Sequence, residues 1–272
     1  MARSPGSAIP PEVADEPGLV EADVRAVARL LSRAASVLLI TGAGVSAESG
    51  LPTYRGINGL YGRDLTDEGM PIETALSGST FLTRPELTWR YLSQIERACR
   101  DAAPSQAHRW MAALEQRIPR TWVFTQNVDG LHYAAGSRNV IEIHGNIHRA
   151  RCVTCGHREV VAAAPGPRHW DAPCARCGRP LRPDVVLFDE PLPKDAVATF
   201  EREWQRGFDL VMVIGTTAAF PYIAGPIVKA ARAGVPTVEI NPETTDLSHF
   251  VTYRLGAKAG VTLQAIADHY SA

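Results

Sequence analysis

The run Ser36-Val-Leu-Leu-Ile-Thr41 empties directly into Gly42-Ala43-Gly44-Val-Ser46, and this junction restricts the chain to few architectures. A short run made almost wholly of aliphatic side chains has the length and composition of a strand buried on both faces, as in a parallel sheet. The two glycines let the backbone turn tightly, and the residues after them read as a helix start. Free N–H groups and the positive dipole end of such a helix favour an anion, so the junction suits a phosphate. Taken alone, Gly-x-Gly fits a bare strand-to-helix turn as well.

Four further apolar runs recur with helical patterns between them: Trp122 to Thr125, Val140 to Ile143, Leu210 to Ile214 and Thr237 to Ile240. Alternation of this kind predicts an α/β fold with a Rossmann-like, doubly wound and mostly parallel sheet. Ligands of such sheets bind beyond the carboxyl ends of the strands. There the chain places Thr41-Gly42-Ala43-Gly44, Gln126-Asn127-Val128-Asp129, His144-Gly145-Asn146, Gly215-Thr216-Thr217 and Asn241-Pro242. Every predicted strand therefore hands off to small or hydrogen-bonding residues at one edge. Read together with Thr125-Gln-Asn-Val-Asp-Gly-Leu-His132 and Glu142-Ile-His-Gly-Asn146, the glycine turn makes sense as part of a site for a nicotinamide dinucleotide. The dehydrogenase version needs a third glycine where Ala47 stands, and an acid closing a strand about twenty residues on, which is missing. Hydride transfer is disfavoured while dinucleotide binding is not.

Four of the five cysteines fall as Cys152-x-x-Cys155 and Cys174-x-x-Cys177. That spacing matches a four-thiolate zinc site, which leaves the ion no open position and so predicts a structural metal. Two disulfides are the weaker reading in a chain without a secretory signal. The segment between the pairs is rich in Gly and Pro turns and poor in apolar residues, so metal binding is expected to supply much of its folding energy. Cys99 reads as a small buried apolar residue, and His157 and His169 as surface histidines. Between Arg149 and Arg182 stand seven arginines against two acids, Glu159 and Asp171, an excess read here as a solvated face of the metal-held segment.

Overall charge is nearly balanced, 28 Lys and Arg against 29 Asp and Glu, so nothing global calls for nucleic acid or an anionic membrane as partner. The chain shows no membrane-spanning run and no hydrophobic signal region, which predicts a cytoplasmic protein. Residues 1–18, rich in Pro, Gly and acids, read as a disordered leader.

At this point the sequence resembles the sirtuins, the NAD-dependent protein-lysine deacylases, over about residues 30–260. The resemblance rests on Gly42 to Pro52 with Tyr54-Arg55, on Thr125 to His132, on Ile143-His144-Gly145, and on the paired cysteine motif, in that order. Arg182-Pro-Asp-Val-Val-Leu-Phe-Asp-Glu190 is similar to the family's substrate-binding strand and nominates Val186, Phe188, Asp189 and Glu190 for the acylated-lysine peptide. The resemblance implies that His144 is the general base toward the ribose, that Asn127 orients ribose and water, that Gln126 bonds the ribose and that Asp129 reads the nicotinamide carboxamide. Ala43, Tyr54 and Arg55 match a loop covering NAD, while Gly42, Gly44 and Ser46 belong to the phosphate turn. Gly215, Thr216, Thr217, Asn241, Pro242 and Ala259 are implied to hold the adenosine half. The implied products are nicotinamide, 2′-O-acyl-ADP-ribose and free lysine.

It further implies three parts: a large NAD-binding domain (19–55, 101–145 and 188–272), a helical insertion (56–100) and a zinc-bearing one (146–187). Family members that remove acidic acyl groups carry a Tyr-x-x-Arg pair where this chain has Leu92 and Ile95. An apolar pair cannot compensate a buried carboxylate, so neutral acyl groups are expected to be preferred over succinyl. Three departures stand out: Asp189 replaces a usual glycine, Thr53-Tyr54 replaces Asp-Phe, and Pro221 comes one position early in Gly215-Thr-Thr-Ala-Ala-Phe-Pro221. The competing readings are protein mono-ADP-ribosyl transfer, desuccinylation, and a non-catalytic zinc module.

Overall fold

A computed structural model of the protein describes residues 18–52, 66–160, 173–179 and 181–270. Nearly all of the expected leader, Thr53, Tyr54 and Arg55 of the expected cofactor loop, and His169 lie outside these residues.

Helix α1 (Glu21–Arg33) leads into strand β1 (Ser36–Thr41), followed by the short α2 (Ala43–Ala47). Helices α3 (Ile72–Ala75), α4 (Gly78–Thr83) and α5 (Pro85–Arg100) come next, before α6 (Gln106–Arg117) and β2 (Arg120–Thr125). Then follow α7 (Leu131–Ala134), β3 (Val140–Glu142), β4 (Gly145–Cys152), β5 (Arg158–Val160) and β6 (Leu181–Val185). The chain closes with α8 (Lys194–Gln205), β7 (Leu210–Ile214), α9 (Pro221–Arg232), β8 (Thr237–Ile240), β9 (Tyr253–Leu255) and α10 (Ala259–Tyr270).

Six strands form one parallel sheet in the order β3-β2-β1-β7-β8-β9. All six residues of β1 and all five of β7 are buried, as expected of central strands covered on both faces. Side chains alternate between the two layers. Val37 and Leu39 join Leu210, Met212 and Val238 under α1, α6 and α10, whereas Leu38 and Ile40 join Val211, Val213 and Phe124 against α8 and α9. Helix α1 shows why it docks: Val24, Val27, Ala28 and Leu31 make one apolar stripe at helical spacing, and all four are buried. The sequence reading found five of these six strands and missed β9, a three-residue edge strand whose Tyr253 and Arg254 stay partly exposed.

From β1 the chain runs outward to β2 and β3, and after the long excursion it returns on the other side as β7 and β8. The strand order therefore reverses between β1 and β7, the switch point where open α/β sheets bind ligands. A second, antiparallel sheet has the order β5-β4-β6. Its buried cluster consists of Ala150, Cys152, Cys174 and Leu181, with Trp89 and Cys155 packed against it. Among the described residues no helix is long and apolar enough to cross a membrane.

Candidate active site

The turns after β1 and β7 interlock at the switch point. Gly44 N–H donates to Gly215 O at 2.8 Å and Gly42 N–H to Ile214 O at 3.2 Å. A Cβ on Gly44 would stand 2.7 Å from Gly215 Cα, and Gly215 has φ +61°, so side chains on these residues would force the two turns apart. What the turns leave facing outward is backbone and small polar groups.

The residues after β2 are tied across the same edge. Gln126 Nε2 donates to Thr216 Oγ1 at 2.9 Å, and Asn127 Nδ2 donates to Gly42 O at 2.9 Å and to Ser46 Oγ at 3.0 Å. Ser46 Oγ in turn donates to Asp129 Oδ2 at 2.7 Å, while Leu131 N–H donates to Asp129 Oδ1 at 2.9 Å. Both oxygens of the buried Asp129 carboxylate are thus engaged, and one network links β1, β2 and α7. Asn241 continues the row from β8, donating to Thr216 O at 3.2 Å. Thr217 and Pro242 are exposed beside it, and Ala259 is buried at the start of α10, where Gly260 N–H donates to Glu48 Oε1 at 3.1 Å.

His144 stands in the turn between β3 and β4. That turn closes because Gly145, with φ +80°, brings its α-carbon so near Asp184 O that a Cβ would lie 2.0 Å from it. The imidazole Nδ1 lies 3.0 Å from the Gln126 carbonyl oxygen, which can only accept, so Nδ1 carries the proton. Its Nε2 lies 2.7 Å from Tyr222 Oη. Burial pushes the His144 pKa below its ordinary value, against an opposing hydrogen bond to the Gln126 carbonyl. The ring is therefore neutral near pH 7 with its basic lone pair at Nε2.

Of the predicted peptide residues, Val186 reaches His144 directly, donating its N–H to His144 O at 2.8 Å. The predicted strand from Arg182 to Glu190 does not persist: β6 ends at Val185, and Phe188 forms an isolated bridge to Ser77. Asp189 has φ +63° and is exposed, with its carboxylate accepting from Gly78 N–H at 2.9 Å and Ser79 Oγ–H at 2.7 Å. The left-handed backbone accounts for the usual glycine there, and Asp is among the few residues that tolerate it. Glu190 is held by the buried Arg182, with N···O distances of 2.6 and 3.0 Å. Leu92, 2% exposed, packs inside a cluster with Leu51, Ile72, Leu131, Ile147 and Leu187, and Ile95 lies at its margin.

The four cysteines converge as predicted. All four Sγ atoms lie within 4.8 Å of one another, with Cys152 to Cys177 at 3.4 Å and Cys155 to Cys174 at 3.7 Å. A tetrahedral zinc thiolate site with Zn–S near ~2.3 Å has S···S edges near ~3.8 Å. The set fits that ion, and the separations are far beyond a disulfide bond. The arginine excess reads differently in three dimensions. Arg149 pairs with Glu142 at 2.8 Å, Arg151 with Glu190 at 3.1 Å and Arg158 with Asp184 at 2.8 Å, so acids outside the counted window balance much of the patch. Cys99 is buried as expected, its thiol pushed up to about 12 by burial.

Two site residues escaped the sequence reading. Tyr222 and Phe220 flank His144, their rings 6.0 and 5.9 Å from its own and stacked on each other at 5.4 Å. The available signal was Pro221, a favoured first residue of a helix, which places Tyr222 in the first turn of α9.

The Sir2 family model matches residues 42–220, spanning the glycine turn, the His144 turn and the cysteines. The chain belongs to the Sir2 family. Among its Sir2 relatives, the NAD-dependent protein deacylase 2 of Pseudomonas aeruginosa is 45% identical over 90% of this chain and 96% of that protein. The protein of the same name from Pseudomonas syringae is 43% identical, covering 89% of this chain and 98% of that one. A solved Sir2 homologue in complex with NAD superposes with a TM-score of 0.80 at 35% identity, covering 90% of this chain and 93% of that one.

Proposed function

We propose that this chain, an NAD-dependent protein deacylase, removes neutral acyl groups such as acetyl or longer apolar chains from lysine side chains of proteins. The observation that carries the reading is the placement of a neutral imidazole, His144, at the switch-point edge beside Gln126 and Val186.

Bound NAD supplies a ribose already activated by its cationic nicotinamide and an ADP-ribose that accepts the acyl group. The chain's own residues do the rest. Gly42, Ala43, Gly44 and Ser46 offer the backbone groups and hydroxyl of the phosphate turn, and Gly215, Thr216, Thr217, Asn241, Pro242 and Ala259 form the adenosine side. Gln126 and Asn127 orient the ribose and Asp129 fixes this loop, while Tyr54 and Arg55, which the resemblance assigns to the cofactor loop, lie outside the described residues. His144 Nε2 takes the proton as general base. Val186, Phe188, Asp189 and Glu190 form the peptide side. NAD fits this donor set, which is uncharged except for the inward-tied Asp129.

The acyl preference draws on the apolar cluster of Leu92 and its neighbours, with Ile95, Val128 and Phe188 at its margin. A succinyl carboxylate brought against these apolar side chains loses water and gains no charge partner from them, at a cost of several kcal/mol. Incubation with NAD and matched acetyl, butyryl and succinyl peptides, followed by peptide mass, tests it. Acetyl or butyryl is expected to leave faster, and faster succinyl loss refutes the preference. Label transferred from NAD to a protein without loss of acyl groups marks an ADP-ribosyltransferase instead.

A further inference from the structure

His144 is held from both sides, and only one side belongs to the predicted machinery. Nδ1–H donates to the Gln126 carbonyl oxygen at 3.0 Å. That bond leaves Nε2 as a lone pair, so the hydroxyl 2.7 Å away on Tyr222 is the donor to it. The tyrosine is not free to drift. Its helix α9 is anchored by Ile223 and Ile227, both fully buried against β7 and β1 in the sheet's lower layer. Its ring stacks on Phe220 with 17° between planes, and both rings meet the imidazole edge-on. This is also where the sequence departs from its family, with Pro221 one position early.

Resting on the deacylase reading, we propose that Tyr222 is a positioning residue for His144: while the Gln126 carbonyl sets the Nδ1–H tautomer, the Tyr222 hydroxyl holds the ring from the other side and stabilises the proton that Nε2 acquires. While the ring is neutral, Oη–H donates to Nε2. For Nε2 to act as base the phenol first turns its hydrogen off the single Nε2 lone pair, that lone pair takes the proton of the hydroxyl it serves, and Oη then accepts from the new Nε2–H, so no proton is gained or lost by the tyrosine. A hydrogen bond from a cationic donor is about twice as strong as a neutral one. The contact thus favours the imidazolium more than the imidazole, and it opposes the depression that burial imposes on His144. Among the described residues the groups facing the ring are the Gln126 carbonyl from the β2 end, Phe220 at the N-cap of α9 and Tyr222 in its first turn, and no carboxylate or cation of theirs shifts it.

The test is Tyr222→Phe, which keeps the ring stack and removes only the hydroxyl, read first by 15N-detected histidine NMR on the ligand-free protein. Wild type is expected to show His144 as the Nδ1–H tautomer, and Tyr222→Phe to keep that tautomer while lowering its apparent pKa by roughly half a unit to one unit. In acetyl-peptide assays the variant is expected to lose roughly tenfold in kcat, the equivalent of one hydrogen bond, with KM for NAD and peptide little changed. The acid limb of its pH profile is expected to move down with the pKa. An unchanged pKa in the variant overturns the proposal, as does a variant that turns over faster than wild type, which marks the tyrosine as a plug. If wild type removes no acyl group, the deacylase reading fails while the NMR result still decides the role of Tyr222.

Discussion

The two sheets are held together by different physics. In the parallel sheet, β1 and β7 are buried along their whole length, apolar throughout apart from Ser36 and Thr41 at the ends of β1, and sandwiched by helices on both faces, so hydrophobic burial suffices. In the small antiparallel sheet Ile147 and Val185 join the cluster around Leu92, but the cysteine end has a cluster of only Ala150, Cys152, Cys174 and Leu181, with Trp89 and Cys155 beside them, and is laced by arginine pairs to Glu142, Asp184, Glu190 and Asp195. Its order depends on charge and metal. The difference teaches that the large sheet can hold the polar row after its strands by itself, whereas the proposed peptide side, reached through β6, is only as firm as the small sheet.

Removing the metal gives the largest expected effect. Zinc contributes on the order of 10 kcal/mol to comparable thiolate modules, so chelation or Cys174→Ser is expected to abolish amide protection in β4 and β6 while that of β1 and β7 persists. Hydrogen exchange read by mass spectrometry checks this, and simultaneous loss of both sheets breaks the comparison. Next comes Arg182, 3% exposed, whose guanidinium bonds Glu190 and the Val185 carbonyl at 2.7 Å and lies over the Phe81 ring. Arg182→Met leaves the partly buried Glu190 carboxylate with only Arg151 and the Leu187 N–H as partners and is expected to cost roughly 3 kcal/mol in denaturant unfolding, relieved in part by adding Glu190→Gln.

The smallest effect belongs to the large sheet and is pH-dependent. Ser105 N–H donates to His108 Nδ1 at 3.1 Å in the cap of α6, and burial lowers the His108 pKa to about 4. The folded pKa lies below the unfolded one near 6.5, so the unfolded chain binds the proton first. Stability from this group is complete above pH ~6.5 and is lost as pH falls toward 4, by up to roughly 3 kcal/mol. A pH series of unfolding midpoints checks it, with His108→Gln flattening the slope. His132, packed 4.7 Å away and also depressed by burial, adds in the same direction.

Much of this was legible in the residues. Uniform apolar runs gave the strands because burial on both faces leaves no room for polar side chains, and the polar row after them followed from the geometry of parallel sheets. Cysteine spacing announced the metal because four thiolates must converge on one point. What escaped reading depended on distant partners. Glu142 lies just outside the counted window and Asp195 is 37 residues from Arg158, so a local charge count overstated the patch. Strand β9 is too short and too exposed to show a pattern. The end of β6 at Val185 follows from Arg182 turning back to grip Glu190, and the approach of Tyr222 to His144 follows from the start of α9 at Pro221.

The central claim is that the His144 imidazole serves as the base in NAD-dependent deacylation. Acetyl-peptide turnover by His144→Ala tests it most directly, with thermal unfolding of the same sample as control. The account predicts a loss of roughly 10²–10⁴-fold in turnover with the unfolding temperature shifted by only a few degrees. Wild-type turnover in a folded His144→Ala protein would contradict it.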